Sequence, residues 1–234
     1  MMKTLAVCAA LAPAAVFAQD ASLDLFTESY APYSYMEGDK LTGHAVDIVT
    51  EALSRSGVEA SMELTKWTRA ISLAEKKPNT CVFTTARTEE REDKFQWVGP
   101  MYTSSVFLVQ QKGANADVTG LEQALTKTIG SQSGDYTVGL LEKMGATNID
   151  LAADQVMTLK KLEAGRLDYA IVLQAAAEAA TASGKLEIAM EAERSEFYLA
   201  CSKTTDAGLV TKMNDAIGSI VADGSRDKFV AAYE

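Results

Sequence analysis

Histidine is almost absent. His44 stands alone, and the three cysteines, Cys8, Cys81 and Cys201, lie far apart in the 234-residue chain. No pair of these residues has the short spacing of a metal-binding motif, so neither a metal nor a cofactor is expected. Nor is there a phosphate-binding loop: GSQSG at Gly130 to Gly134 lacks the lysine of one such pattern and the strand-bound triple glycine of the other. No GxSxG elbow or histidine partnered for catalysis is visible, which removes the usual support for nucleophilic hydrolysis. Basic residues are outnumbered, 22 against 32 acidic, for a net charge of −10. That balance argues against nucleic acid and against anionic lipid as partners. Runs long enough to span a membrane are missing too.

What is present begins with MMKTLAVCAALAPAAVFA, one lysine followed by an apolar run and small residues at Val16 and Ala18. This pattern reads as an export signal over residues 1–18, cut after Ala18, and places the mature protein outside the cytoplasm. Losing Lys3 leaves 22 − 1 = 21 basic residues against 32 acidic, a net of −11. Two cysteines survive cleavage, Cys81 in TCVFT and Cys201 in FYLACS. An oxidising compartment makes the pair a disulfide candidate. Buried as small hydrophobes, they would serve equally well as free thiols, and both readings stand.

Along the chain, LDLFT reads as an alternating strand, and 29–43 as a loop rich in tyrosine, proline and glycine. Ala45, Ile48, Val49, Ala52 and Leu53 recur at helical spacing until Gly57. Strands at 58–64 and 80–85 with a helix at 66–77 continue the alternation. Beyond a polar break at 112–117 a second unit repeats it, with strands at 128–130, 148–151 and 168–173 and helices at 136–144, 155–164 and 174–182. Strands at 186–189 and 197–202 and helices at 206–221 and 226–233 close the chain. The expected class is α/β, with mostly parallel sheets flanked by helices.

The most informative stretch is TTARTEEREDKFQWVGP, Thr84 to Pro100. Arg87 and Arg91 lie four apart in it, and a guanidinium offers the planar fork that fits a carboxylate or phosphate. The competing reading is a solvated helix whose acids favour its first turn. Tyr30 and Trp67 follow strand ends, where open parallel sheets place ligands; Trp97 and Tyr35 read as core packing. Asp135, just after the glycine turn, reads as a helix cap. Glu28, in the first loop, is the acid to watch if the protein were an enzyme, with surface exposure as its bland alternative. His44 reads as structural or as a ring at a pocket edge.

Together YAPYSY (30–35), GHAVDI (43–48), RTEERE (87–92) with FQWVGPMY, IGSQSG, LEAGRLDYAIV (162–172) and NDAIGSIVADGS resemble the extracellular solute-binding proteins of ABC importers, in the class that carries polar amino acids. The resemblance covers nearly all the mature chain. It implies a two-lobed periplasmic-binding-protein fold, type II-like, with two crossing strands joining lobe 1 (19–102 plus 195–234) to lobe 2 (103–194). The lobes would close by a hinge on a small carboxylate-bearing, amino-acid-like solute and hand it to a membrane ABC permease, the protein acting as a monomer. By resemblance Arg91 clamps the ligand carboxylate and Tyr30 and Trp67 sandwich the ligand. Thr85, Arg87, Glu28, Gln132, Asp135 and Gln174 complete the candidate ligand-binding set. The chain departs from the pattern at Ala86, where a hydroxyl donor is common, and at Leu173, where an acid commonly holds an α-amino group. Rival readings are a dehydratase-like enzyme on the same scaffold and a ligand-sensing domain.

Overall fold

A computed structural model describes residues 22–233. The expected signal peptide, its cleavage site and Cys8 lie outside the described residues. In chain order the elements are β1 (Leu23–Thr27), β2 (Tyr35–Glu37), β3 (Lys40–Thr42), α1 (His44–Ser56), β4 (Ala60–Leu64), α2 (Trp67–Lys76), β5 (Thr80–Ala86), α3 (Glu89–Glu92) and β6 (Phe95–Gln111). They continue with α4 (Leu121–Ala124), β7 (Thr128–Gln132), α5 (Tyr136–Lys143), β8 (Asn148–Ala152), α6 (Gln155–Glu163), β9 (Tyr169–Leu173), α7 (Gln174–Thr181), β10 (Leu186–Ser202), α8 (Ala207–Ala222) and α9 (Ser225–Ala231).

One eight-stranded sheet runs in the order β4-β1-β5-β10-β6-β9-β7-β8. The outer strands pair in parallel within each lobe, β4-β1-β5 in one and β9-β7-β8 in the other. Between them β6 and β10 run antiparallel over almost their whole lengths, 17 residues each, and pair with both lobes. These are the two crossing strands. The strands expected at 186–189 and 197–202 are joined in β10 through the charged run Glu191–Glu196, and β6 runs on through Gly99 and Pro100. Pairing with the partner strand carries both through, with register shifts that absorb the irregularity.

Helical spacing works as expected in α1, whose stripe of Ala45, Ile48, Val49 and Ala52 is buried and whose end is set by Gly57, at φ 64, donating its N–H to Leu53 O. β1 departs from expectation. It is buried on nearly every residue rather than alternating, since helices cover both faces of the sheet. On one face Leu23 and Leu25 pack with α1 and α8; on the other Phe26, Val82 and Phe95 pack with Trp67, Ala70 and Ala74 of α2. The sequence also concealed the β2–β3 hairpin inside the expected loop at 29–43.

Cys81 and Cys201 are direct partners across the β5–β10 ladder and are joined by a disulfide. It ties the returning strand to the first lobe across a separation of 120 residues. Three residues further along β5, the left-handed Thr84 (φ 61) sits against a register shift between Tyr198 and Ala200. The end of β5, which leads into the arginine segment, is re-aimed there by a bulge.

Candidate functional site

Most of the predicted residues gather where the two lobes face each other. Gly43, at φ 125, is needed for this arrangement: a Cβ there would stand 2.3 Å from Tyr33 O. The close approach lets the N–H groups of His44 and Ala45, which have no partner inside α1, donate to Pro32 O and Tyr33 O. The loop carrying Tyr30 and Tyr33 is thereby fixed on the helix end. From it Tyr30 Oη accepts from Leu173 N at 2.9 Å, and Tyr33 Oη accepts from Ala175 N at 3.2 Å. Tyrosine hydroxyls of one lobe thus meet backbone donors at the β9–α7 junction of the other. Leu173, the position of the missing acid, contributes its N–H.

Arg91 lies in the single turn α3. Glu89, Glu90 and Glu92 of that turn face solvent, while Arg91 is 9% exposed. Its Nη1 donates to Ala86 O (3.3 Å) and its Nη2 to Gly134 O (3.2 Å), across to the other lobe. Gly134 O also accepts from Trp67 Nε1 at 2.8 Å, and the guanidinium carbon lies 5.4 Å from the centre of the indole ring. Trp67 itself is anchored by Phe26, Ala70 and Phe95. Among the described residues no carboxylate forms an ion pair with Arg91. Burial lowers its pKa, against the pull of nearby Asp135.

Glu28 is buried, not the surface acid of the bland reading, and its Oε2 accepts from Gln132 Nε2 at 2.5 Å across the lobes. Burial pushes its carboxyl up to about 8; the Gln132 hydrogen bond works against that, and Asp135 and Asp154 add to it. Glu28 and Trp67 line a cavity of about 540 Å³ with Thr65, Lys66, Asp154 and Lys160.

The remaining predicted residues are engaged with other partners. Thr85 is fully buried in β5 and donates to Val82 O. Asp135 caps α5, its Oδ1 accepting from Thr137 N (2.8 Å) and Thr137 Oγ1 (2.6 Å). Gln174 is exposed and bonded to Glu178. Arg87 is exposed, held by both carboxylate oxygens of Glu92 and placed over the rings of Trp97 and Tyr198. It lines a different cavity, of about 380 Å³, with Glu90, Tyr136, Lys143 and Glu193. Trp97 is half-buried and packs on Phe95 and Tyr198, while Tyr35 is half-exposed in the hairpin. His44 is buried against Tyr33 and Tyr102, at the wall of a 160 Å³ cavity that it shares with Gln174. Burial lowers its pKa to about 4.

Sequence reasoning missed Asp154 and the carbonyl of Gly134. Asp154 had a visible signal as the cap of α6, where it accepts from Met157 N; a backbone carbonyl has none. Among the described residues no group of histidine, cysteine and carboxylate side chains is arranged to hold a metal ion. No described helix is long and apolar enough to cross a membrane.

Residues 25–233 match the family described as bacterial extracellular solute-binding proteins, family 3. The chain belongs to that family. The L-cystine-binding protein TcyJ of Escherichia coli K12 is 26% identical over 203 residues, covering 84% of this chain and 76% of that protein. Among solved structures, the arginine-, lysine-, histidine-binding protein ArtJ from Geobacillus stearothermophilus superposes with a TM-score of 0.82 at 18% identity, over 91% of this chain and 95% of that one. The ancestral amino acid-binding protein AncCDT-1, a precursor of cyclohexadienyl dehydratase, gives 0.78 at 19% identity over 91% and 94%. Likeness at these identities establishes the two-lobed fold shared by the family.

Proposed function

We infer that the protein is the substrate-binding component of an ABC importer and takes a small carboxylate-bearing, amino-acid-like solute between lobes bounded at 19–102 plus 195–234 and 103–194. The observation that carries this reading is Arg91: a buried guanidinium beside an indole, met by backbone carbonyls and, among the described residues, by no carboxylate. A buried charge is stabilised best by an opposite charge with matched hydrogen bonds, and a carboxylate fits the guanidinium fork. In this reading Tyr30 and Trp67 sandwich the ligand, and closure around it strengthens the ion pair by excluding water. The protein works as an exported periplasmic monomer, cut after Ala18, that docks transiently on a membrane permease. The amino-acid ligands in the names of TcyJ and ArtJ support the ligand class.

The test is a thermal-shift screen of amino acids and related carboxylates, followed by calorimetry. A ligand that binds only the folded state raises its stability by mass action. A carboxylate hit that Arg91→Ala binds as tightly as the parent protein overturns the clamp. A second reading, a dehydratase-like enzyme, draws on the raised carboxyl of Glu28, because a carboxyl that keeps its proton near neutral pH can act as a general acid. Turnover of a bound compound, abolished by Glu28→Gln, would select it over transport.

A further inference from the structure

Helix α9 buries none of its residues fully, yet the tyrosine that follows it is held by polar groups at the start of α1. Tyr233 Oη donates to Asp47 Oδ2 at 2.8 Å, accepts from Gly43 N at 3.2 Å and lies 3.1 Å from Thr42 Oγ1. Its single proton goes to the carboxylate, so Thr42 is the donor in the third contact. Gly43 is the N-cap of α1 and has no side chain with which to cap it. The residue three further on, from which a glutamate could reach back to the N-cap N–H, is Val46. Tyr233 takes that part from 190 residues away in the chain.

The turn held in this way is the one on which the interlobe tyrosines rest. The N–H groups of His44 and Ala45 hold Pro32 O and Tyr33 O, and the His44 ring meets the rings of Tyr33 and Tyr233 edge to face. Beyond them Tyr30 Oη accepts from Leu173 N, and Tyr33 Oη accepts from Ala175 N. Tyr33 Oη also donates to Ser104 Oγ at 3.0 Å, because Ser104 gives its own proton to Ser105 O. Helix α9 faces the crossing strands as well. Arg226, Asp227 and Val230 line a cavity of about 390 Å³ with Tyr102 and Thr103 of β6 and Arg194 of β10.

We propose that Tyr233 is a positioning residue for lobe closure: its hydroxyl fixes the first turn of α1, and that turn sets the Tyr30–Tyr33 loop where both loop hydroxyls meet the start of α7. The bonds to Leu173 N and Ala175 N, at 2.9 and 3.2 Å, tolerate little displacement of the loop, because a hydrogen bond weakens steeply with distance and angle. The buried stripe of α1, Ala45, Ile48, Val49 and Ala52, packs without help from Tyr233. Loss of the hydroxyl therefore frees the helix start and the loop on it, and leaves the core of the lobe in place. Tyr233 acts through Gly43, Asp47 and the loop, and does so whatever solute Arg91 takes.

Residue-resolved amide hydrogen exchange by NMR, on the folded mature chain with no solute added, reads the interlobe bonds directly, since an amide exchanges when its hydrogen bond opens. Tyr233→Phe keeps the ring and removes the hydroxyl. Exchange at Leu173 and Ala175 should rise roughly three- to tenfold, the worth of about one hydrogen bond, while amides in the β5 and β7 ladders keep their rates. Asp47→Ala removes the acceptor of the same hydroxyl and should give the same pattern. Asp47→Asn retains an oxygen for Tyr233 and should restore the parental rates at both amides. In a Tyr33→Phe background Ala175 has already lost its acceptor, so adding Tyr233→Phe should change nothing at that amide. Unchanged exchange at Leu173 and Ala175, an equal rise throughout the β5 and β7 ladders, or equal effects of Asp47→Ala and Asp47→Asn overturns the positioning role. Should Tyr233→Phe fail to fold, the two Asp47 variants decide alone.

Discussion

The two faces of the interlobe cleft are built from different material. The first lobe presents side chains: Glu28, Tyr30, Tyr33, Trp67 and Arg91. The second answers mostly with backbone, through Gly134 O, Leu173 N and Ala175 N, and with the side chains of Gln132 and Ser104. The difference teaches where the chemistry can change. Charge and shape on the first face are set residue by residue, whereas donors and acceptors on the second are set by where β7 and β9 end and α7 begins. Substitution can delete the first set one group at a time. It can reach the backbone groups of the second only through the conformation of the chain.

The contrast is broken most directly at Arg91. Arg91→Ala should weaken a carboxylate ligand by about thirtyfold or more, since truncating one partner of a buried charged pair costs about 2–5 kcal/mol. Calorimetry reads this, and an unchanged affinity would mean that the first face does not hold the anion. Tyr30→Phe comes next. It removes the acceptor of Leu173 N inside the interface, and an orphaned buried donor costs about 1–3 kcal/mol. Urea unfolding should register that loss; no change would mean that the tyrosine hydroxyl does not tie the faces together.

On the second face Gly134 is the accessible position, because its φ of 75 is one that side chains resist. Gly134→Ala should cost roughly 1 kcal/mol of stability and, by shifting the carbonyl shared by Trp67 and Arg91, change tryptophan fluorescence. An unaltered emission spectrum would show that the carbonyl stays in place.

Glu28 gives a pH signature. Its carboxyl keeps the proton up to about 8 in the folded protein against an ordinary value of 4.5. Between those values the folded state binds more protons than the unfolded one, so stability falls as pH rises through that window. His44 works the other way. Buried neutral, with a pKa lowered to about 4 from 6.5, it makes stability rise with pH below 6.5. The Glu28 slope is therefore read above 6.5, and Glu28→Gln should flatten it there. A slope that survives the substitution belongs to another group. The smallest effect is expected at Gln174, exposed and bonded within its own helix to Glu178. Gln174→Ala should alter stability by no more than about 0.5 kcal/mol and leave ligand affinity unchanged.

Much of this was legible before any coordinates. Helix α1 was readable because burial on one side imposes a 3.6-residue period, and the alternation of strand and helix gave the class. Arg91 and Trp67 were singled out because few side chains hold an anion or stack on a ligand, and the fold buries the two side by side. The long strands were not legible, because glycine, proline and charge break a strand locally while ladder pairing with a neighbour carries it on. Nor was the difference between Arg87 and Arg91: four residues apart with similar neighbours, one is drawn to the surface by Glu92 and the other inward on a one-turn helix.

By itself the sequence determined the family, the α/β alternation, the acidic balance and the side chains available to one face of the cleft, because periodicity and side-chain chemistry are written residue by residue. The tertiary structure alone decided the rest. It joined Cys81 to Cys201 by placing them opposite each other in a ladder, it buried Glu28 against Gln132, and it brought a glycine carbonyl to Arg91 and Trp67. Each depends on segments distant in the chain meeting in register, and backbone groups, identical at every residue, acquire their role only from where the fold puts them.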